Sequence, residues 1–481
     1  MKLKLRNIAL VTVIASTLVT APSCEKVDFG SMNQNPNLTT APITSALLTN
    51  ALSAMGNRTW DAGGVVTIAG MYGQYFSETQ YTDASRYATQ NLNWDGFYNG
   101  VLYDLQNIIN YNTDPATAPI AAANGSNKNQ IAVARILKAY NYWILTDLWG
   151  DLPYFGALKG NGLVPYDTQE AIYTDLLKEL KEANTGFDAG LGPKGDILFN
   201  SDVSSWKRFA NSLRALIALR MSKANPTLGR TEFASALADP GGVIASNANN
   251  AQLSYPGGNY LNPFYNYYVV TKRDDYGVSK TLLDYMNARG DQRNRVVGTS
   301  TVGFPYGLTR DQAVAFGNSN TGFARLMNSS VAQDKSPVPI ITAAHIFLAR
   351  AEAAQLGWTT ENVATMYANG VTASWEQWGL STGSALTDYL ANADVSLGGG
   401  EQAKKIATQQ WLAWYPNGLQ GWSVWRKTGF PALTLPSGQT QVPRRLSYGS
   451  NEPQLNTANF NTASARYNSN SMFARMWWDK P

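Results

Sequence analysis

Residues 407–449, ATQQWLAWYPNGLQGWSVWRKTGFPALTLPSGQTQVPRRLSYG, decide the fold of this chain. Trp411 and Tyr415 lie four residues apart with Trp414 beside them, so one helical face carries three large aromatic side chains. Pro416, Asn417 and Gly418 stop that helix with turn-forming residues. Leu419, Trp422 and Trp425, with Arg426, restart a helical period that Gly429 and Pro431 end. Two short helices joined by indole rings bury a large apolar surface, so these rings read first as packing.

Helical periodicity recurs on the N-terminal side of this pair. Residues 131–148 carry Val133, Ile136, Tyr140, Trp143, Ile144 and Leu148 on one face, and Gly150, Asp151 and Pro153 end the run. Further helices are expected at 43–56, 65–76, from a cap at Asp95 to about 111, from 166 to about 184, from a cap at Ser204 or Ser205 to 221, and at 279–288. Residues 233–237 add one more helical turn, whereas 113–129 read as a small polar loop. Residues 340–358 and 361–378 form a helix pair, with Ala344, Phe347, Ala351 and Ala354 facing Val363, Tyr367, Val371 and Trp375. Such pairs resemble tetratricopeptide units, although no fixed period near 34 residues runs through the chain. The expected fold is mainly α: a single large helical domain of stacked tetratricopeptide-like helix pairs, with long irregular loops on the other side.

Composition narrows the function. The chain has 481 residues, 44% hydrophobic and 15% charged, with a formal net charge of +4. Without Lys2, Lys4 and Arg6, which fall in a segment expected to be removed, 35 basic residues face 34 acidic ones. That balance argues against nucleic acid, which demands clustered Lys and Arg, and favours a neutral ligand. One cysteine excludes a disulfide framework and a cysteine-based zinc site. His345, the single histidine, lies in the Ala-rich 340–358 helix and reads as a core or rim side chain. No phosphate loop, G-x-G-x-x-G or H-E-x-x-H motif occurs. Among the carboxylates, Asp83, Asp95, Asp274, Asp275 and Glu401 specify no catalytic pair at the 5 to 10 Å spacing that glycoside hydrolysis needs. Asp291, Gln292 and Arg293 read as a loop brace. No catalytic residue, metal site or cofactor is expected.

The N-terminus reads as a secretory leader. Lys2, Lys4 and Arg6 precede the apolar run 8–19, which is too short to span a bilayer, and Ala21 and Ser23 are small. Ala21-Pro22-Ser23-Cys24 resembles a degenerate lipobox, which makes Cys24 the expected lipid anchor. Residues 1–23 are therefore expected to be removed, 24–40 to form a lipidated tether, and 41–481 to form the single helical domain.

Neutral sugars offer apolar C–H faces to aromatic rings and hydroxyls to amide, carboxylate and guanidinium groups. The irregular segments supply both kinds of partner. One candidate edge is Tyr81, Arg86, Tyr87 and Trp94. The other lies in the Asn/Tyr/Gly/Pro-rich insert 246–275: Tyr260, Asn262, Tyr265, Tyr267, Tyr268, Arg273 and Asp275, with Tyr306 beyond it in the irregular stretch 289–335. Packing of these rings against their own loops is the competing reading for each.

Several motifs also carry a family resemblance: Gln410-Trp411-Leu412-Ala413 through Tyr415-Pro416-Asn417-Gly418, Trp422-Ser423-x-Trp425-Arg426-Lys427-Thr428-Gly429, Pro443-Arg444-Arg445-Leu446 and Arg475-Met476-Trp477-Trp478-Asp479. With Asp147-x-Trp149-Gly150-Asp151-x-Pro153, they resemble the SusD/RagB-like nutrient-binding outer-membrane lipoproteins, most closely the second SusD-like subgroup. The resemblance spans most of the chain after the leader. It implies a surface-exposed lipoprotein, held to the outer membrane by its lipid, that captures a glycan and delivers it to a SusC-type TonB-dependent transporter. A peptide ligand on the same scaffold and a helical surface glycoside hydrolase are the alternatives. The resemblance also places ligand recognition on loops rather than on the Trp-rich core.

Overall fold

The computed structural model describes residues 42–61 and 63–481. The expected leader, Cys24 and the expected tether lie outside the described residues. The helical pair that opened the sequence reading is present as α13 (Gln402–Trp414) and α14 (Gly418–Thr428). Asn417 caps α14, its side chain accepting from Gln420 N at 3.3 Å, and Gly429 at φ +80° ends it. The rings are tied as well as packed. Trp411 Nε1 donates to Gly73 O at 2.9 Å and Trp422 Nε1 donates to Pro443 O at 2.9 Å. A buried indole N–H left unpaired would offset part of what its ring contributes.

Helix α14 rests on α2 (Val65–Tyr72), which follows α1 (Thr44–Thr59). Helix α14 crosses α2 at glycines. A Cβ on Gly418 would lie 2.4 Å from the backbone of Gly70. Around them run α3 (Tyr103–Thr113), α4 (Asn127–Trp149), α5 (Gln169–Thr185), α6 (Val203–Arg220) and α7 (Pro226–Ala238). Consecutive members pack against one another: α3 on α4, α4 on α5, α5 on α6, α6 on α7. Helix α4 is buried on nearly every side because α3, α5, α6 and α14 all contact it. After α7 come α8 (Lys280–Asn287) and α9 (Arg310–Ser319), the latter a helix inside the stretch expected to be irregular. The pair α10 (Ala343–Gln355) and α11 (Val363–Glu376) packs back on α13, and α12 (Ser384–Ala391) lies between α11 and α13 in the chain. This is a mainly helical domain of stacked helix pairs.

Several local expectations are corrected. The 65–76 helix stops at Tyr72, and Phe76 enters β1 (Phe76–Glu78). Asp95 caps nothing: it sits in the first turn, its N–H donating to Asn93 Oδ1 at 3.2 Å, and a π-helical turn (Phe97–Leu102) leads into α3. Asp202, not a serine, caps α6, because its carboxylate reaches Ser204 N and Ser205 N at 3.0 and 3.1 Å. The turn at 233–237 is the end of the longer helix α7, which Asn225 and Pro226 start. The polar loop at 113–129 contains a helical turn at Ala118–Ala121.

The irregular segments are fastened by two short antiparallel sheets. β1 pairs with β3 (Tyr276–Val278), and β2 (Ala251–Leu253) pairs with β4 (Val338–Ile341). The first sheet brings the polar 76–93 segment beside the 246–275 insert. Asp291 and Arg293 do brace their loop. Arg293, fully buried, makes a salt bridge to Asp291 at 2.6 Å and donates to Ser374 Oγ, Tyr389 Oη and Gln409 Oε1.

Candidate ligand-binding site

The 246–275 insert is held from within. Asn262 is buried, its Oδ1 accepting from Phe264 N and Tyr265 N at 3.0 and 3.3 Å while its amide donates to Ser336 O. Phe264 stacks on Trp60 with ring centroids 5.2 Å apart, which joins the insert to the end of α1. The chain then makes a π-helical turn at Asn266–Val270, a wider helix that shifts the side chains away from ordinary helical spacing. After the turn it returns through Lys272, at φ +52°, into β3.

One carboxylate organises the return. Asp275 accepts from Tyr267 Oη at 2.7 Å, Arg273 Nε at 2.7 Å and Gln80 Nε2 at 2.8 Å. Burial alone would raise its pKa, but these hydrogen bonds outweigh it and hold the carboxyl below its usual range. The outcome is a cleft of about 740 Å³ between the insert and the C-terminal end of α1. Tyr260, Tyr267, Arg273 and Asp275 line it, joined by Tyr255, Asn259, Asn266 and Tyr276. Ser53, Asn57 and Asp61 form the opposite wall. Burial pushes Asp61 up to about 6, against hydrogen bonds from the Val66 and Gly64 backbone and the charge of Arg58. Tyr260 is 65% exposed and forms an open aromatic rim.

The remaining candidate residues go elsewhere. Tyr265 and Tyr268 are half-buried, and Tyr268 Oη bridges the Tyr276 carbonyl and Leu326 N–H inside the fold. Tyr306 is buried, donating to Met71 O at 2.8 Å. Tyr87 is buried edge-on to Tyr72 and beside Tyr306. Arg86 is half-buried and its carbonyl accepts from Gln439. Tyr81 is exposed and lines neither this cleft nor the second one. Trp94 is buried among Trp149, Tyr166 and Tyr448, with one edge at a second cleft of about 530 Å³. Sequence reasoning missed the α1 wall. Its only sign there was the turn-forming run around Trp60, Asp61, Gly63 and Gly64.

His345 is structural. Its Nδ1 accepts from Thr342 N at 3.1 Å, its Nε2 donates to Ala413 O at 3.1 Å, and its ring stacks on Trp414 at 3.5 Å. Burial lowers its pKa to about 3, so the imidazole is neutral at any physiological pH. Among the described residues, no group of three His, Cys, Asp or Glu side chains could hold a metal ion. No described helix is long and apolar enough to cross a membrane.

Stacked helix pairs with polar, tyrosine-edged clefts on their loops define the class of architecture. The comparisons with known proteins then specify it: residues 36–449 match the second SusD-like family, described as starch-binding and associating with the outer membrane, and the chain belongs to that family. Among solved structures it is similar to a chitin-binding protein at 26% identity (TM-score 0.76, covering 91% of this chain and 100% of that one). It is similar in fold to a SusD homologue from Bacteroides uniformis at 24% identity (TM-score 0.74, 90% and 99% covered). A chitin-binding SusD homologue from Flavobacterium johnsoniae matches at 22% identity (TM-score 0.75, 90% and 98% covered). No curated protein matches the sequence.

Proposed function

We propose that this protein is a lipid-anchored, outward-facing outer-membrane lipoprotein that binds a glycan in the cleft between α1 and the 255–276 insert. It then passes the glycan to a SusC-type TonB-dependent transporter. The observation that carries this reading is the chemistry of the cleft. An exposed tyrosine rim stands over a floor of amides, carboxylates and one guanidinium, the mixture that recognises hydroxyl-rich rings. The family and the similarity to a chitin-binding protein support the ligand class. Arg273 is half held by Asp275, which leaves its outer face for the solute. Titrating neutral oligosaccharides into the purified chain tests the reading. Tyr260→Ala and Arg273→Ala are each expected to weaken binding five- to fiftyfold, about 1–2 kcal/mol, with unchanged melting temperature. Binding that survives both substitutions would place the ligand elsewhere.

Asp61 and Asp275 make hydrolysis the second reading, because their environments push two carboxyls in one cleft in opposite directions. Against it, Asp275 is tied down by three neighbouring side chains, its Oδ2 accepting from Tyr267 and Arg273 and its Oδ1 from Gln80, which fits a structural acceptor better than a free acid or base. The protein is therefore read as a binder without turnover. Incubation of any glycan it retains should release no reducing ends; their appearance, lost in Asp61→Asn, would establish the enzyme instead.

A further inference from the structure

The second cleft has its own chemistry. It lies between the π-helical turn Phe97–Leu102 with the start of α3, the loop 153–164, and the short helix Glu452–Leu455. Its volume, about 530 Å³, is that of a small-molecule site. Tyr103, 54% exposed, and Tyr98 form an aromatic wall with the edge of Trp94 behind them. This cleft and the first each take part of their lining from a π-helical turn, a feature that elsewhere concentrates at functional sites.

Unlike the first cleft, this one contains no Lys or Arg among the described residues that line it. It contains two carboxylates, Asp95 and Glu452, and the amides of Asn99 and Asn161. Asp95 is exposed, and Glu452 uses one oxygen to accept from Tyr166. Burial pushes the Glu452 carboxyl up, and the negative charge of Asp95 pushes it further. Two like charges facing one aromatic-walled space, with no cation of the protein between them, are relieved by a ligand that brings a positive charge. The loop leaves room for it: Gly160 and Gly162 have nothing within 4 Å of where a Cβ would stand.

We propose that this cleft is a second binding site, whose ligand is an amino sugar with a free ammonium group within a de-N-acetylated oligosaccharide. The ammonium lies against Asp95 and Glu452, the pyranose face covers Tyr103, and Asn99 and Asn161 take the hydroxyls. A lysine-bearing peptide is the weaker occupant. Extended peptides are usually held along an exposed strand edge, and no strand borders this cleft among the described residues.

Calorimetric titration of the full processed chain tests the assignment, with the tetramer of glucosamine, the tetramer of N-acetylglucosamine and tetralysine as probes. The glucosamine tetramer should bind, more weakly as salt rises. Asp95→Asn and Tyr103→Ala should each weaken that binding at least fivefold with unchanged melting temperature, and leave the N-acetylated tetramer unaffected. Tyr260→Ala, in the first cleft, should leave the glucosamine titration unchanged, so failure of one site is read separately from failure of the other. Absence of glucosamine binding, its insensitivity to Asp95→Asn and Tyr103→Ala, or equally tight binding of tetralysine would each overturn the proposal.

Discussion

Burial suppresses the charge of Glu78, Asp61 and His345, and the two acids oppose the histidine in their effect on stability. Folded Glu78 takes up its proton near pH 7, against an ordinary value of 4.5; Asp61 does so near pH 6, against 3.8. Between those limits the folded chain holds more protons than the unfolded one, so these acids make stability fall as pH rises and add no further slope above pH 7. His345 acts in reverse. From its ordinary value of 6.5 down to about 3, the unfolded chain holds more protons and stability falls as pH falls. The opposed slopes flatten the wild-type profile, so the variants are informative. Glu78→Gln is expected to gain on wild type from nothing near pH 4.5 to a plateau of about 1–2 kcal/mol above pH 7, read from urea midpoints. The gain stays below the full converted shift because the carboxylate's bonds from Ser85 N and Oγ, both 2.8 Å, are weakened with it. His345→Ala should lose about 2–4 kcal/mol, since it opens a cavity beside Trp414 and leaves Thr342 N without its acceptor. Ligand binding per folded molecule should be unchanged; a loss of affinity at full folding would give His345 a part in the site.

Two contacts between elements carry more of the fold than any helix alone. Helices α2 and α14 approach so closely that only glycine fits at their crossing. The Cβ of Gly418→Ala would stand 2.4 Å from Gly70 Cα and N and from Val66 O, backbone atoms that cannot turn aside. The expected cost is at least about 2–3 kcal/mol in chemical denaturation. The Arg293 node ties the 289–335 segment to α11, α13 and the helix that carries Tyr389. Arg293→Met would leave Asp291 buried without its partner, at about 3–5 kcal/mol. Arg293→Lys should recover little, because one ammonium cannot reach Asp291, Ser374, Tyr389 and Gln409 together. Recovery of wild-type stability by lysine would show the node to be simple charge pairing.

Across the whole molecule, residues Thr44–Pro481 form one compact unit. Replacing Cys24 by Ala is expected to move the protein from the membrane to the soluble fraction of cells, since two or more acyl chains are what make such an anchor durable. Retention of the variant in washed outer membranes would remove the lipid anchor from the proposal. Local pattern alone determined the helical scaffold, the Trp-rich α13–α14 pair and the structural part played by His345, because helical period, turn residues and aromatic density are written in neighbouring positions. It also placed Tyr260, Tyr267, Arg273 and Asp275 together, since they follow one another in a single insert. Only the tertiary structure decided that Ser53, Asn57 and Asp61 face them, that Tyr87 and Tyr306 turn inward, and that Trp94 belongs to a second cleft. A ring in an irregular loop can turn to either side at similar local cost. Which side it takes depends on the segment folded over it, and that segment lies more than two hundred residues away for Tyr306 on Met71 and more than three hundred for Trp94 on Tyr448.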